Sequence, residues 1–187
     1  MISNKNLNVV YVSKDKITNS QQKEISRLQD ECFGDVSNDE IKEHFFIEGF
    51  AMLLAYYKNK LVGILELHKR KCEFNGVNFL LGGAAGVCVT KCMQRKGIAT
   101  KLMKEGLKTL RENKCDVACL NIDFERQMYS LYEKIGFKFM DRAISFDDIH
   151  GKRIYEKGAM FIPVCSPKIY DHIMNSRKTF HYGRGYW

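Results

Sequence analysis

The stretch from Val87 to Lys101 carries the residue types that an anionic ligand needs. Val87, Cys88 and Val89 close an apolar run, a short polar loop follows, and Gly97-Ile98-Ala99-Thr100 opens a helical pattern. A loop that feeds a helix N-terminus offers unpaired backbone N–H groups and the positive end of the helix dipole, a ready site for a pyrophosphate. Gly97 and Ala99 have little or no side chain, so a phosphate can reach the backbone, and Lys91, Arg95, Lys96 and Lys101 add positive charge. A plain strand-to-helix turn with a basic rim fits the same residues, because one short glycine loop is weak evidence alone. The 7 cysteines point elsewhere: their odd number, their scatter and the lack of a C-x-x-C pair predict reduced, mostly buried thiols rather than a disulfide framework or a zinc site.

The elements that must position this loop follow from periodicity. Leu7 to Val12 reads as a strand, and Gln21 to Phe33, with Ile25, Leu28 and Cys32 at helical spacing, as an amphipathic helix. Ser37 followed by Glu40 suggests a capping box for a second helix running to about Ile47. Phe50 to Tyr57, Leu61 to about Glu73, and Val77 to Thr90 are strands joined by Lys58-Asn59-Lys60 and by Asn75-Gly76, a tight-hairpin signal. Together they predict an antiparallel meander. Gly97 to Glu112 has one apolar face through Ile98, Leu102, Met103 and Leu107 and one charged face. A buried strand from Asp116 to Ile122, a helix from about Glu125 to Ile135 capped by Gly136, and two closing strands at Phe137 to Phe146 and Tyr155 to Val164 complete the chain. The fold class is therefore α/β, a mixed, mostly antiparallel sheet with helices on both faces. The 187 residues suit a single domain over 1–187, with the aromatic, glycine-rich tail 168–187 packing back on it.

Gln94-Arg95-Lys96-Gly97-Ile98-Ala99 resembles the Q/R-x-x-G-x-G/A motif of the GCN5-related N-acetyltransferases, the GNAT superfamily, and Leu131-Tyr132-Glu133-Lys134-Ile135-Gly136-Phe137 is similar to its second signature, L-Y-x-x-x-G-F. The element order also matches that fold. The resemblance implies an N-acetyltransferase that moves an acetyl group from acetyl-CoA to a primary amine of a small molecule, with no metal. It implies that Gln94, Arg95, Lys96, Gly97, Ile98, Ala99 and Thr100 hold the CoA pyrophosphate. It also implies that Val87, Cys88 and Val89 run beside the pantetheine arm, that an amide there polarises the acetyl carbonyl, and that Tyr132 protonates the departing thiolate.

A base for the attacking amine is harder to find. The strand before the loop reads Leu81-Gly82-Gly83-Ala84-Ala85-Gly86, with no carboxylate. So small a run predicts either a bend in the sheet or room for a bulky acceptor or a long acyl chain. Glu66 is the first candidate base; His68, Asp123, His172 and His181 are others. The Trp-ended tail loosely resembles the aminoglycoside 2′-N-acetyltransferases, a reading that would need an acidic pocket from Asp147, Asp148 or Asp171. A non-catalytic acyl-CoA-binding module is the alternative from another class.

The net charge of +8 is spread along the chain with no nucleic-acid motif, so it suits a phosphate-rich cofactor better than DNA or RNA. Neither a membrane span nor a secretion signal is present in the residues given, and a cytoplasmic protein, able to form a homodimer, is expected.

Overall fold

A computed structural model describes residues 6–34, 42–43, 47–122 and 128–187. Its centre is the meander. Strands β1 (Leu7–Ser13), β2 (Ala51–Tyr57), β3 (Lys60–Phe74) and β4 (Val77–Val89) pair antiparallel in that order. The two tight turns work as their residues require: Lys58 and Asn59 take φ of 48° and 61°, Asn75 and Gly76 take 50° and 78°. The order then continues through β5 (Val117–Asn121), parallel to β4, to β9 (Ala159–Pro163) and the two-residue β6 (Lys138–Phe139), giving seven strands.

Helices cover both faces. On one side lies α2 (Ile98–Glu112), whose Ile98, Leu102, Met103 and Leu110 join Leu53, Leu65 and Leu67 in the main core. The short α3 (Tyr129–Ile135) adds Tyr132 to the same cluster. The other face is shared. α1 (Asn19–Phe33), started by a Thr18–Gln21 capping box, packs Ile25 and Leu28 on Met52, Leu54 and Ile64. Beside it sits a second, three-stranded sheet of β10 (Phe180–Arg184), β7 (Ile144–Asp147) and β8 (Arg153–Glu156), with α4 (Pro167–Met174) next to it. Phe146, Phe180, Tyr182, Tyr186 and Trp187 are buried there, so residues 168–187 form a lobe of the core.

Two expectations change. The two closing strands are four short ones: each predicted run is split between the two sheets, the first passing from the main sheet to the second across Asp141 and Arg142, the second passing from the second sheet to the main one at Gly158, whose φ is 124°. Most of the helix predicted from Ser37, apart from residues 42–43, and the start of the one predicted from Glu125 lie outside the described residues. The second change concerns thiols. Cys32 on α1 and Cys88 on β4 form a disulfide across 56 residues, while Cys72, Cys92, Cys115, Cys119 and Cys165 are free. Sequence spacing carries no trace of this pair, which only the docking of α1 on the sheet brings together. No described helix is long and apolar enough to cross a membrane.

Candidate active site

The site begins where two strands part. β4 and β5 are paired at Leu81↔Val117, Gly82↔Ala118 and Gly83↔Cys119, and no further. Beyond Gly83 the strand edge of Ala84 to Val89 faces the edge of Leu120 and Asn121 across a gap. On its other side β4 stays bonded to β3. The Thr90 N–H donates to the Val62 carbonyl at 3.0 Å, so the alternation of an antiparallel ladder turns the backbone groups of Val89 and Val87 toward the gap.

The small residues of β4 each have a local cause. A Cβ on Gly82 would meet Leu110 of α2 at 3.0 Å, and one on Gly83 would fall inside the Trp187 indole. Gly86, at φ 58°, forms the bulge at which the β3 register shifts, and the space beside it is open. The bend is therefore real, and the room that the small side chains leave at Gly83 is filled by the tail.

At the open end of the gap the chain makes a single 3-10 turn over Lys91–Met93 and enters α2 through Arg95 (φ 60°) and Gly97 (φ 83°). The first helical hydrogen bond runs from Lys101 N–H to Gly97 C=O at 3.0 Å, leaving the N–H groups of Ile98, Ala99 and Thr100 ahead of the ladder. No described residue lies within 4 Å of where a Cβ on Gly97 would be. Donors without a partner among the described residues, the helix dipole and space that no described residue fills meet at one point, which is what a diphosphate requires. Some predicted groups are committed elsewhere. The Gln94 side chain donates to Val89 C=O at 3.1 Å, and its own N–H turns back to Lys91 C=O at 3.4 Å, so the cradle starts at Arg95. The ammonium of Lys96 donates to Cys92 C=O and that of Lys101 to Leu7 C=O, each within 2.9 Å. Glu31 of α1 anchors the loop by accepting from the Thr90 hydroxyl and the Lys91 N–H, at 2.9 and 2.8 Å. Those donors hold its carboxyl below the usual range. The side chain of Cys88, committed to Cys32, leaves only backbone to serve a ligand.

Tyr132 sits mid-way along α3 and is 8% exposed, in one cluster with Val89, Ile98, Leu120 and Ile122 from the gap edges and the start of α2. Gly136, at φ 115°, ends the helix, and the N–H groups of Gly136 and Phe137 both return to the Tyr132 carbonyl. Burial pushes the phenol up to about 12, so it keeps its proton throughout the physiological range.

The candidate bases scatter. Glu66 Oε1 accepts from Lys14 Nζ at 3.0 Å and from Gly49 N–H at 3.1 Å; its Oε2 is 3.9 Å from His68 Nε2. His68 is buried, and neither ring nitrogen has a hydrogen-bond partner among the described residues. His172 bonds Phe74 C=O, and His181 pairs with the Ser145 hydroxyl in the second sheet, so neither reaches the gap edges. Asp123 lies outside the described residues. The carboxylates named for an aminoglycoside site have local partners or places: Asp147 is paired with Arg153, Asp148 accepts from the His150 and Lys152 N–H groups of its own turn, and Asp171 is on α4. The sequence analysis singled out the Trp-ended tail but not where it docks: Trp187 joins the closed end of the gap. The adjacent pair Gly82-Gly83 in a buried strand and a single tryptophan were the available signals.

The acetyltransferase (GNAT) domain family matches residues 14–140, and the chain belongs to that family. Solved structures share its fold. The ribosomal-protein-S18-alanine N-acetyltransferase from Escherichia coli superposes with a TM-score of 0.58 at 12% identity, covering 84% of this chain and 94% of that one. A GNAT family acetyltransferase from Brucella melitensis, solved in complex with acetyl-CoA, gives 0.52 at 21% identity over 70% and 83% of the two chains. A GCN5-related N-acetyltransferase from Kribbella flavida gives 0.55 at 18% identity over 74% of this chain; the chain spans only 35% of that protein's length. No curated protein matches the chain.

Proposed function

We propose that the chain transfers the acetyl group of acetyl-CoA to a primary amine of a small molecule by direct attack. The observation that carries this is the gap between β4 and β5, lined by a strand edge that β5 no longer pairs and ending at the α2 amides ahead of the first helical hydrogen bond. A diphosphate fits the amides from Arg95 to Thr100, and the pantetheine arm runs inward along Val89 and Val87 as an extra strand. An amide of that edge faces the thioester carbonyl where negative charge grows during attack. The amine nitrogen bonds to the carbonyl carbon, the carbon–sulfur bond breaks, the departing thiolate takes the Tyr132 proton, and the nitrogen gives up a proton that passes through water to restore the phenol. Glu66 is a poor base in this frame, since Lys14 and Gly49 already hold its Oε1.

The acyl-CoA-binding module remains a second reading because β4 carries no carboxylate between Leu81 and Val89. Titration calorimetry with acetyl-CoA, free CoA and a nucleotide lacking pantetheine tests the site; a mass-spectrometric screen of amines tests the reaction. Micromolar binding that needs the pantetheine, followed by a mass gain of one acetyl group on an amine, supports the transferase. Failure to bind CoA in any form sinks both readings, and binding with no acetylated product across a broad amine panel leaves the module.

A further inference from the structure

The closed end of the gap has a wall, and it comes from the tail. Trp187 lies against Gly83, the last β4 residue paired with β5. Its main-chain oxygen accepts from the Asn121 side chain at 3.2 Å, and Asn121 belongs to the facing edge. The indole stacks on the His68 imidazole, with centroids 5.2 Å apart and planes 12° from parallel, and the Arg70 guanidinium lies 4.7 Å from its ring. Arg70 in turn donates to the carbonyls of Tyr182 and Gly185, locking the tail to β3. One residue is thus fixed to β3, β4 and β5 at the point where the gap closes, and it is only 4% exposed.

We propose that Trp187 sets the acyl chain length that the site accepts, restricting it to acetyl and its short homologues. The inference rests on the acetyl-CoA reading above. With the diphosphate at the Gly97 end, the pantetheine enters along β4 and its acyl carbons point toward Gly83. Between the closed end and the bulge at Gly86 there are only Ala84 and Ala85, roughly 7 Å of strand. A two-carbon acyl group ends inside that length, whereas an eight-carbon chain runs into the indole. The indole cannot yield cheaply, because Gly83 seats it on bare backbone while His68 and Arg70 hold its ring. Forcing extra methylenes against so packed a group weakens binding by about ten- to a hundredfold.

The test needs no acceptor. Free CoA, acetyl-, butyryl- and octanoyl-CoA are titrated into the wild-type chain, Trp187→Ala and Trp187→Phe, with thermal melts to show that each variant folds. The wild type should bind octanoyl-CoA about ten- to a hundredfold more weakly than acetyl-CoA. Trp187→Ala should bring the two within a few-fold, and Trp187→Phe should fall between. Equal binding of the two lengths by the wild type overturns the gate, as does an unchanged ratio in a folded Trp187→Ala. If Trp187→Ala fails to melt cooperatively, Trp187→Phe decides: an unshifted ratio there also overturns it. Free CoA separates the two levels. If it binds while chain length has no effect, only the gate is wrong; if no form of CoA binds the wild type, the acetyl-CoA reading fails and the gate falls with it.

Discussion

Replacing His68 by Gln should remove a defined part of the acid sensitivity of the fold. His68 is 3% exposed on β3, and desolvation pulls its pKa from 6.5 down to about 4. The Glu66 carboxylate opposes that shift, while Lys14 and Arg70 add to it. The folded state therefore holds a neutral imidazole, and the unfolded chain takes up a proton below about pH 6.5. Stability from this group is complete above that pH, falls as the pH drops toward 4, and changes no further below. The full span is worth about 3 kcal/mol, of which about 2 kcal/mol is lost on going from about pH 7.5 to about pH 5. Urea denaturation of wild type and His68→Gln at those two pH values gives the difference, since the other titrating groups cancel. The wild type should lose about 2 kcal/mol more than the variant. Equal losses would refute the claim that burial keeps this imidazole uncharged, and an imidazole titrating near 6.5 by NMR would do so independently.

Tyr132→Phe should leave acetyl-CoA affinity intact and slow turnover by about a hundredfold or more, read by mass spectrometry on an acetylated amine; undiminished turnover would remove the phenol as the acid. Gly97→Val forces a β-branched residue to φ 83° and fills the open cradle, so acetyl-CoA affinity should fall by more than about tenfold. Gly151→Val, at φ 80° in the distant β7–β8 turn, should strain the backbone similarly while leaving affinity alone; equal effects would dissolve the cradle assignment. Reducing Cys32–Cys88 opens a loop closed across 56 residues, a loss of up to about 4 kcal/mol of stability. Cys32→Ser and Cys88→Ser should each reproduce the loss, and a urea midpoint indifferent to reductant would mean the bond is absent in solution.

Local chemistry explains what was readable from sequence. The meander, α2 and the loop before it follow from Asn75-Gly76, from strand alternation and from an apolar stripe, all of which act within a few residues. Tyr132 likewise sits in a short motif closed by Gly136. The rest is decided by partners far along the chain. Lys14 neutralises Glu66 across 52 residues, Cys32 claims the side chain of Cys88 across 56, and the Asp141 and Gly158 breaks move half of each closing strand to another sheet. The glycines of β4 admitted either a bend or a cavity, and only the position of Trp187 decides between them.

Arg70 also sets an order of events. The β3–β4 hairpin closes around a two-residue turn, so it can form early, while the bonds from Arg70 to Tyr182 and Gly185 join residues 112 and 115 positions apart. Docking the tail is a late, entropically costly step, and the amide cradle at Gly97 does not depend on it. During refolding the chain should gain the ability to hold CoA before it can tell a short acyl chain from a long one. Selectivity is acquired on a slower clock than binding, and the emission of the sole tryptophan keeps the time.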